Sequence, residues 1–253
     1  MSGHSKWATI KHAKGAADAK RGQMFTKLTR EIAFAARQGG SDTESNFRLR
    51  LAVQKARDQN MPLDNIDRAI KRATGGMEGA QISEITLEGY GPGGSAIMVQ
   101  TQTDNRNRTL SDIRNTFARH GGNMGEAGSV GWLFESKGII NVGLDGADPD
   151  ALALTAIDAG AEDVKVEKDY VEIQTGPKDL EIVRQALAQK NLRIISAELT
   201  MVPKTTVPLD EKQGIQALKL MDKLEELDDV AHVYTNADFS DAVLEKYQSG
   251  DFK

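Results

Sequence analysis

The residues best suited to bind a ligand lie in the N-terminal arm, residues 3–25, which reads GHSKWATIKHAKGAADAKRGQMF. Lysine and arginine side chains spaced in this way can neutralise the phosphates of a nucleic acid. The aromatic face of Trp7 can stack on a base or a ribose. In the alternative interpretation the lysines form a solvated tail and Trp7 anchors the arm to the following helices. The candidate contacts in the arm are Lys6, Trp7, Lys11, His12 when protonated, Lys14, Lys20 and Arg21.

The arm offers little material for a core of its own. Between Lys11 and Gly22 the only apolar side chains are alanines, and Gly15 and Gly22 weaken any helix. Burial of so little apolar surface cannot offset the entropy lost on ordering. We therefore expect a segment that is mobile by itself and is ordered by a partner.

A second group of cations lies on predicted helices further along the chain. Arg106 and Arg108 flank the N-terminus of the helix in TDNRNRTLSDIRNTFARHGG, where an unpaired cation typically costs about 0.3–1 kcal/mol. This cost indicates a partner, which is either a phosphate or a carboxylate such as that of Glu88 or one from another domain. The other candidate contacts in this group are Lys27, Arg30, Arg48, Arg50 and Lys55.

The charge is strongly segregated along the chain. The 253 residues carry a net charge of −5, but residues 1–80 carry +7, residues 81–135 carry −2 and residues 136–253 carry −10. Such segregation is typical of a chain whose basic end binds a polyanion. The alternative is electrostatic docking of the basic region on the acidic region of the same chain. We expect the polyanion, because a cationic surface attracts phosphates whatever the distant end carries.

The sequence contains no pattern typical of an enzyme or a metal site. Gly89, Gly91 and Gly94 have the spacing of a dinucleotide fingerprint, but a β-rich segment follows where that fingerprint needs a helix, so we predict a hairpin turn. The four histidines are scattered, cysteine is absent, and no catalytic triad or carboxylate pair stands out. Acidic clusters such as ELDD, residues 226–229, are interpreted as solvated charge. We therefore expect no catalysis, no cofactor and no metal.

Periodicity predicts an α+β protein of three domains. Apolar stripes at helical spacing from Phe25 to Thr74 indicate three helices, and alternating strand-like runs follow Gly79. Between residues 137 and 203 the predicted order is β-α-β-β-α-β, the ferredoxin-like arrangement. The predicted division is a basic arm and three-helix domain at 1–79, a discontinuous α+β domain at 80–136 plus 204–240, an inserted ferredoxin-like domain at 137–203 and a C-terminal tail at 241–253.

Several cellular settings are disfavoured by the sequence. No apolar run approaches the roughly 18 residues of a membrane span, and the N-terminus lacks the apolar core of a secretory signal. Trp7 and the lack of an arginine-rich amphipathic face disfavour a mitochondrial transit peptide, and the absence of cysteine suits a reducing compartment. We expect a cytoplasmic protein without a membrane partner. It is expected to be a monomer, because no dimerisation heptad is evident.

Several long strings in this order closely resemble the YebC/PmpR family, whose mitochondrial relative is the translational activator of cytochrome c oxidase subunit I. The resemblance covers nearly the whole chain and implies three domains and no catalysis. The strings are GHSKWATIKHAKGAADAKRGQMFTKLTREI, NFRLRLAVQKARDQNMPLDNIDRAIKRATGG, LEGYGPGG, TDNRNRTLSDIRNTFARHGG and GSVGWLF.

The resemblance leaves two roles open. Members are commonly labelled DNA-binding transcriptional regulators, whereas others resemble translation factors that act on the ribosome and relieve stalling at proline-rich sequences. We therefore expect a nucleic-acid-binding regulator of gene expression whose partner is DNA or ribosomal RNA and tRNA, in the second case on the ribosome. A protein-interaction scaffold is the remaining hypothesis.

Overall fold

The computed structural model describes residues 18–75 and 82–250, and it confirms the α+β class. Residues Glu135–Val202 form one compact unit, and the described residues on either side of them form a second. No helix among the described residues has the length and apolar character that a membrane crossing requires. In chain order the elements are α1 Asp18–Gly39, α2 Phe47–Asp58, α3 Leu63–Thr74, β1 Ser83–Tyr90, β2 Ala96–Thr103, α4 Arg106–Arg119, β3 Asn123–Met124, β4 Phe134–Gly143, α5 Pro149–Asp158, β5 Asp163–Val166, β6 Tyr170–Thr175, α6 Leu180–Gln189, β7 Ile194–Pro203, β8 Val207–Pro208, α7 Glu211–Glu225, β9 Val230–Thr235, β10 Ala237–Asp238 and α8 Asp241–Ser249.

The three predicted N-terminal helices are present as α1, α2 and α3, which form the helical domain, residues 18–75. Their apolar stripes meet in one core, where Ile32, Leu49 and Ala56 are fully buried. Helix α1 begins at Asp18, seven residues before the expected start at Phe25. The added residues include Ala, Lys, Arg, Gln and Met, which favour helix strongly enough to accommodate the single Gly22.

The second helix is capped by a residue that the sequence did not single out. Asn46 Oδ1 accepts a hydrogen bond from the amide of Leu49 at 3.0 Å, so Asn46 caps α2. Its Nδ2 also donates to the carbonyls of Ala35 and Gly40, at 2.8 Å each. Asn46 therefore fixes the turn between α1 and α2 while it starts α2.

A four-stranded sheet follows the helical domain, in the order β3-β1-β2-β9. Strands β1 and β2 pair antiparallel from Ser83↔Thr103 to Tyr90↔Ala96, which confirms the hairpin expected at GYGPGG. The strand on the other side of β1 is the short β3, and Gly131–Leu133 form a 3₁₀ turn. One face of the sheet packs on α4 and α7 through fully buried side chains such as Phe117 and Leu220.

The unit Glu135–Val202 contains β4, α5, β5, β6, α6 and β7, in the predicted β-α-β-β-α-β order. Its sheet has the order β5-β6-β4-β7, and β6 pairs antiparallel with both β4 and β5. Ile140 and Ile173 from the sheet, together with Leu187 from α6, are completely buried. The unit therefore has apolar side chains enough for a core of its own.

The segment expected as a C-terminal tail, residues 241–253, instead contains helix α8. Ser240 accepts a hydrogen bond from the amide of Val243, which caps the helix. Val243, Leu244 and Tyr247 are buried against the same core as α7. Leu244 and Tyr247 follow Val243 at i+1 and i+4, which is a spacing that places the three side chains on one face of a helix. The helix was not predicted because the segment is short and rich in charge.

Candidate nucleic-acid interface

Most of the N-terminal arm falls outside the described residues. This applies to Lys6, Trp7, Lys11, His12 and Lys14, whose proposed contacts stay predictions. Lys20 and Arg21 lie in the first turn of α1. Their contacts with a phosphate backbone stay predictions as well.

Lys27 and Arg30 on α1 contact another part of the chain. Helix α1 lies against the α7–β9 turn, residues 225–230, which is rich in acidic residues. Lys27 Nζ donates to the first and last carbonyls of this turn, the latter at 2.8 Å. Arg30 Nη1 donates to the carbonyl of Asp228 at 2.7 Å and to Oδ1 of Asp229 at 2.8 Å. Gln23 Nε2 donates to Oδ1 of Asp228 at 3.1 Å. Helix α1 is thus fastened to the turn by cationic and amide groups.

Asp229 is the centre of this contact, and its side chain is only 9% exposed. Its Oδ2 accepts hydrogen bonds from Arg108 Nη2 and Thr109 Oγ1 at 2.8 Å each, and from Thr103 Oγ1 at 3.2 Å. Burial acts to raise the pKa of Asp229, but the bonds from Arg108 and Thr109 and the charges of Arg108 and Arg30 outweigh it, so the pKa lies below its ordinary value. One buried carboxylate therefore joins α1, β2, α4 and the α7–β9 turn.

This arrangement corrects the interpretation of the acidic cluster ELDD. The sequence suggested solvated charge, whereas Asp229 is buried because Arg30 and Arg108 approach it from two other elements. Arg108 also pairs with Asp104 at 2.8 Å. Its carboxylate partners are thus Asp104 and Asp229 rather than Glu88, and these bonds raise the pKa of the Arg108 guanidinium. A single-sequence pattern could not reveal Asp229, because its partners lie over a hundred positions away.

Arg106 differs from its neighbour Arg108. It is exposed at the N-terminus of α4, and its side chain makes no hydrogen bond or ion pair with the residues that the structure describes. Asn105 caps the helix, since its Oδ1 accepts from the amide of Arg108 at 3.1 Å. The guanidinium of Arg106 is therefore available to an external anion.

Arg48 pairs with the sheet domain. Its Nη2 lies 2.6 Å from Oε1 of Glu84 on β1, its Nη1 donates to Gln38 at 3.0 Å, and its guanidinium lies 4.7 Å from the ring centre of Phe34. A cation held over an aromatic ring and opposite a carboxylate is well positioned for a structural role. Arg48 is thus a second link between the helical domain and the sheet.

The two other cations predicted on α2 also have partners within the helical domain. Arg50 Nη1 donates to the carbonyls of Thr43 and Glu44 at 3.0 and 2.9 Å. Lys55 Nζ lies 3.7 Å from Oε2 of Glu31 on α1. Both side chains therefore help to fix the position of α2.

Three exposed cations were not among the predicted contacts. Arg57 lies in the last turn of α2, and Lys71 and Arg72 lie in the last turn of α3. Within residues 18–75 and 82–250 no hydrogen bond or ion pair holds their side chains. Cations at helix C-termini are favoured by the helix dipole alone, but exposure also makes them available to phosphate. In the sequence these cations can be recognised because they do not fall on the buried apolar stripe of their helix.

The described residues contain a cavity of mixed charge and no candidate metal site. No cluster of three or more His, Asp or Glu side chains converges as a metal site in the described part of the chain. A cavity of about 510 Å³ between α4 and α7 has both acids and bases in its wall. There Lys223 is paired with Glu226 at 2.6 Å, so the cavity presents no field of a single sign.

Comparison with known families gives matches over both described regions. The model of the TACO1/YebC protein N-terminal domain matches residues 5–76. The model of the TACO1/YebC second and third domain matches residues 82–237. Together the two matches span most of the chain.

Individual relatives match over nearly their full length. A probable transcriptional regulatory protein of Dehalococcoides mccartyi is 61% identical over 249 residues, which cover 98% of this chain and 99% of the relative. A protein with the same description from Desulfosudis oleivorans is 54% identical and covers 97% of this chain, with all of its own length matched. The crystal structure of a conserved hypothetical protein from Aquifex aeolicus superposes with a TM-score of 0.82 at 45% identity, over 88% of this chain and 93% of that one.

Proposed function

Because the chain belongs to the TACO1/YebC family, we propose that it is a non-enzymatic, nucleic-acid-binding regulator of gene expression. The similar proteins described as probable transcriptional regulatory proteins support a regulatory role. A cytoplasmic monomer remains our prediction for its location and state.

The observation that carries this proposal is the separation of two sets of cations. One set, which includes Lys27, Arg30, Arg48 and Arg108, is occupied by contacts within the chain. The other set comprises exposed cations such as Arg106, which have no partner among the described residues. We assign phosphate binding to this second set and to the cations predicted in the N-terminal arm, while the first set holds the helical domain at a fixed position.

Transcriptional control through DNA makes one structural demand that the first half of α2 does not meet. Base readout in the major groove needs exposed side chains that can form bidentate bonds, most often from arginine. The two arginines in the first half of α2, Arg48 and Arg50, are engaged with Glu84 and with main-chain carbonyls instead. The exposed Arg57 is a single arginine in the last turn, so phosphate-directed binding is favoured over a set of base-reading contacts on this helix.

This observation favours the second candidate function, a ribosome-associated translation factor that binds ribosomal RNA or tRNA and relieves stalled synthesis at proline-rich sequences. Structured RNA is bound mainly through its shape and its backbone, and a basic segment that folds on binding suits that mode. The acidic remainder of the chain is repelled by RNA, which orients the basic end towards it.

The two functions are separated by comparing the full-length protein with a chain that starts at Asp18, which retains all of α1. We expect the shortened chain to lose co-sedimentation with ribosomes, and both chains to bind promoter DNA weakly and without sequence preference at physiological salt. Tight binding to one promoter that survives a non-specific competitor would establish the transcriptional role instead. If the truncation changes neither activity, the protein-interaction scaffold becomes the better hypothesis.

The phosphate role of the arm predicts a change in salt dependence. Lys6, Lys11 and Lys14 replaced together by Glu should weaken RNA binding and should reduce the slope of log K against log salt by about 0.7 for each lost phosphate contact. Replacement of the exposed Lys178, Lys190 and Lys212 by Glu makes the same change in net charge elsewhere and should leave the slope unaltered. Equal effects of the two triple variants would refute the assignment to the arm.

A further inference from the structure

Two large aromatic side chains are exposed next to each other on the sheet domain. Trp132 is 66% exposed and Tyr90, at the end of β1, is 41% exposed. Trp132 Nε1 donates to the carbonyl of Ser129 at 3.2 Å, and the Tyr90 hydroxyl donates to the same oxygen at 3.1 Å. The polar edges of both rings are thus satisfied within the protein, whereas much of their apolar surface faces solvent.

The loop that carries Trp132 is held by a buried carboxylate. Glu88 accepts hydrogen bonds from the amides of Gly128 at 2.8 Å and of Val130 and Gly131 at 2.6 Å each. Burial acts to raise the pKa of Glu88, but the three amides outweigh it, so the pKa is below its ordinary value. The loop is thus fastened to β1, and so the two rings are held in place before any partner arrives.

Tyr90 lies on the face of β1 that the helical domain contacts through Arg48. Side chains alternate along a strand, so Glu84, Glu88 and Tyr90 share one face of β1, opposite the face on which Leu87 meets the core. Arg48 of the helical domain contacts Glu84 at the far end of this face. Glu84 and Tyr90 are six positions apart on β1, so about 20 Å separates them at about 3.3 Å per residue.

We propose that Trp132 and Tyr90 form a stacking platform for the unpaired bases of a single-stranded nucleic acid. Stacking of a base on an aromatic side chain is worth about 1–3 kcal/mol and tolerates every base, because every base has a π-face. Lys204 Nζ donates to the carbonyl of Trp132 at 3.0 Å, which places a cation beside the platform for a phosphate. This inference rests on the proposed function and adds unpaired bases, bound by the platform, to the phosphate backbone that the cations bind.

A proline-rich peptide is the other kind of ligand that binds exposed aromatic pairs. The cation beside the platform favours the nucleic acid. Lys204 lies beside Trp132, and Arg48 of the basic helical domain contacts Glu84 on the same face of β1 as Tyr90, so a polyanion that contacts this domain can extend along β1 to the rings. A neutral proline-rich peptide would gain nothing from these cations.

The proposal can be tested directly, because the chain has only two tryptophans, Trp7 and Trp132. In a Trp7→Phe protein the indole emission comes from Trp132 alone. We expect this emission to be quenched by an unstructured RNA of about 12 nucleotides and to be unchanged by duplex RNA of the same length. A Trp7→Phe, Trp132→Phe protein reports any signal that does not come from this indole.

Affinity measurements with the full-length chain supply an independent readout. Trp132→Ala should weaken binding of the unstructured RNA by roughly 5- to 100-fold and should leave duplex binding unchanged, whereas Trp132→Phe should restore most of the loss. Leu154→Ala removes a side chain of similar exposure, 64%, from another part of the chain and is expected to have no effect. Thermal unfolding confirms that each variant is folded.

Each possible result has one interpretation. Salt-dependent RNA binding without quenching, and without an effect of Trp132→Ala, would overturn the platform and leave the proposed function intact. No binding of either RNA would overturn the ribosome-associated function together with the platform. Quenching by a proline-rich peptide but not by RNA would overturn the base assignment in favour of a peptide.

Discussion

At the scale of single residues, Asp229 does the most to connect the described elements. Its carboxylate accepts from Arg30, Arg108, Thr109 and Thr103. A buried carboxylate with charged donors is stabilising only while all of its partners are present, because each donor left alone retains its desolvation cost. The substitution of this one side chain should therefore affect two helices and a strand together.

Asp229→Asn should lower the free energy of unfolding by about 2 kcal/mol at neutral pH, because the amide removes the charge and one acceptor. The pKa of Asp229 is lowered by folding, so its stabilisation is complete above the ordinary Asp pKa of about 3.9 and is lost as pH falls through the folded value. Urea unfolding at pH 7 and at progressively lower pH measures the difference, which should shrink in acid.

Asp228→Asn is the matched control for this experiment. Asp228 is exposed, and its side chain accepts from Gln23 at 3.1 Å, so its loss should cost less than about 0.5 kcal/mol. Equal effects of the two substitutions would show that the buried network around Asp229 does not stabilise the protein.

The lowered pKa of Glu88 leads to a second prediction, in which the emission of Trp132 depends on pH. Its folded pKa is lowered, so the loop of Trp132 should stay fastened above the ordinary Glu pKa of about 4.3 and loosen as pH falls through the folded value. In the Trp7→Phe protein the emission of Trp132 should therefore change in acid. Glu88→Gln should abolish this titration, whereas Glu126→Gln, an exposed acid in the same loop, should preserve it. Persistence of the titration in Glu88→Gln would assign it to another group.

At the scale of elements, the sequence correctly predicted those helices and strands whose apolar pattern lies within a short stretch of the chain. The helical stripes of α1, α2 and α3, the hairpin of β1 and β2 and the β-α-β-β-α-β order all follow from side-chain periodicity and turn residues. The early start of α1 and the presence of α8 were missed, because charged or small residues dilute the apolar pattern there. The sites at Asp229 and Glu88 were not predictable, since their partners converge only in the folded chain.

Two glycines within helices give opposite predictions. Alanine is favoured over glycine in a helix by about 1 kcal/mol, so Gly22→Ala in α1, where a Cβ meets no atom within 4 Å, should stabilise the protein. In α7 the Cβ at Gly214 would lie 2.9 Å from Cγ1 of Val243 on α8. Because the β-branched Val243 has little rotamer freedom in a helix, Gly214→Ala should destabilise despite its better propensity.

Thermal or urea unfolding of the two variants measures this contrast. Stabilisation by both substitutions would show that α8 can move away from α7 without loss, and that the contact with Val243 contributes little to the stability.

At the scale of the whole molecule, the described chain forms two compact units with separate apolar cores. Leu187 is fully buried in the unit Glu135–Val202, and Leu224 is fully buried in the other unit. We predict that each of Leu187→Ala and Leu224→Ala destabilises its own unit by about 2–5 kcal/mol. Hydrogen exchange followed by mass spectrometry locates each loss, and equal loss of protection across both units in either variant would show one cooperative structure.

The contact of helix α1 with the α7–β9 turn is made largely with main-chain oxygens. Gln23, Lys27 and Arg30 reach the carbonyls of residues 225, 226, 228 and 230, and the one side chain that receives a guanidinium is that of Asp229. A carbonyl is present whichever amino acid occupies the position. Natural variants of this turn can therefore exchange residues 225, 226 and 228 freely while position 229 stays an aspartate, and saturation mutagenesis should reproduce this pattern of tolerance.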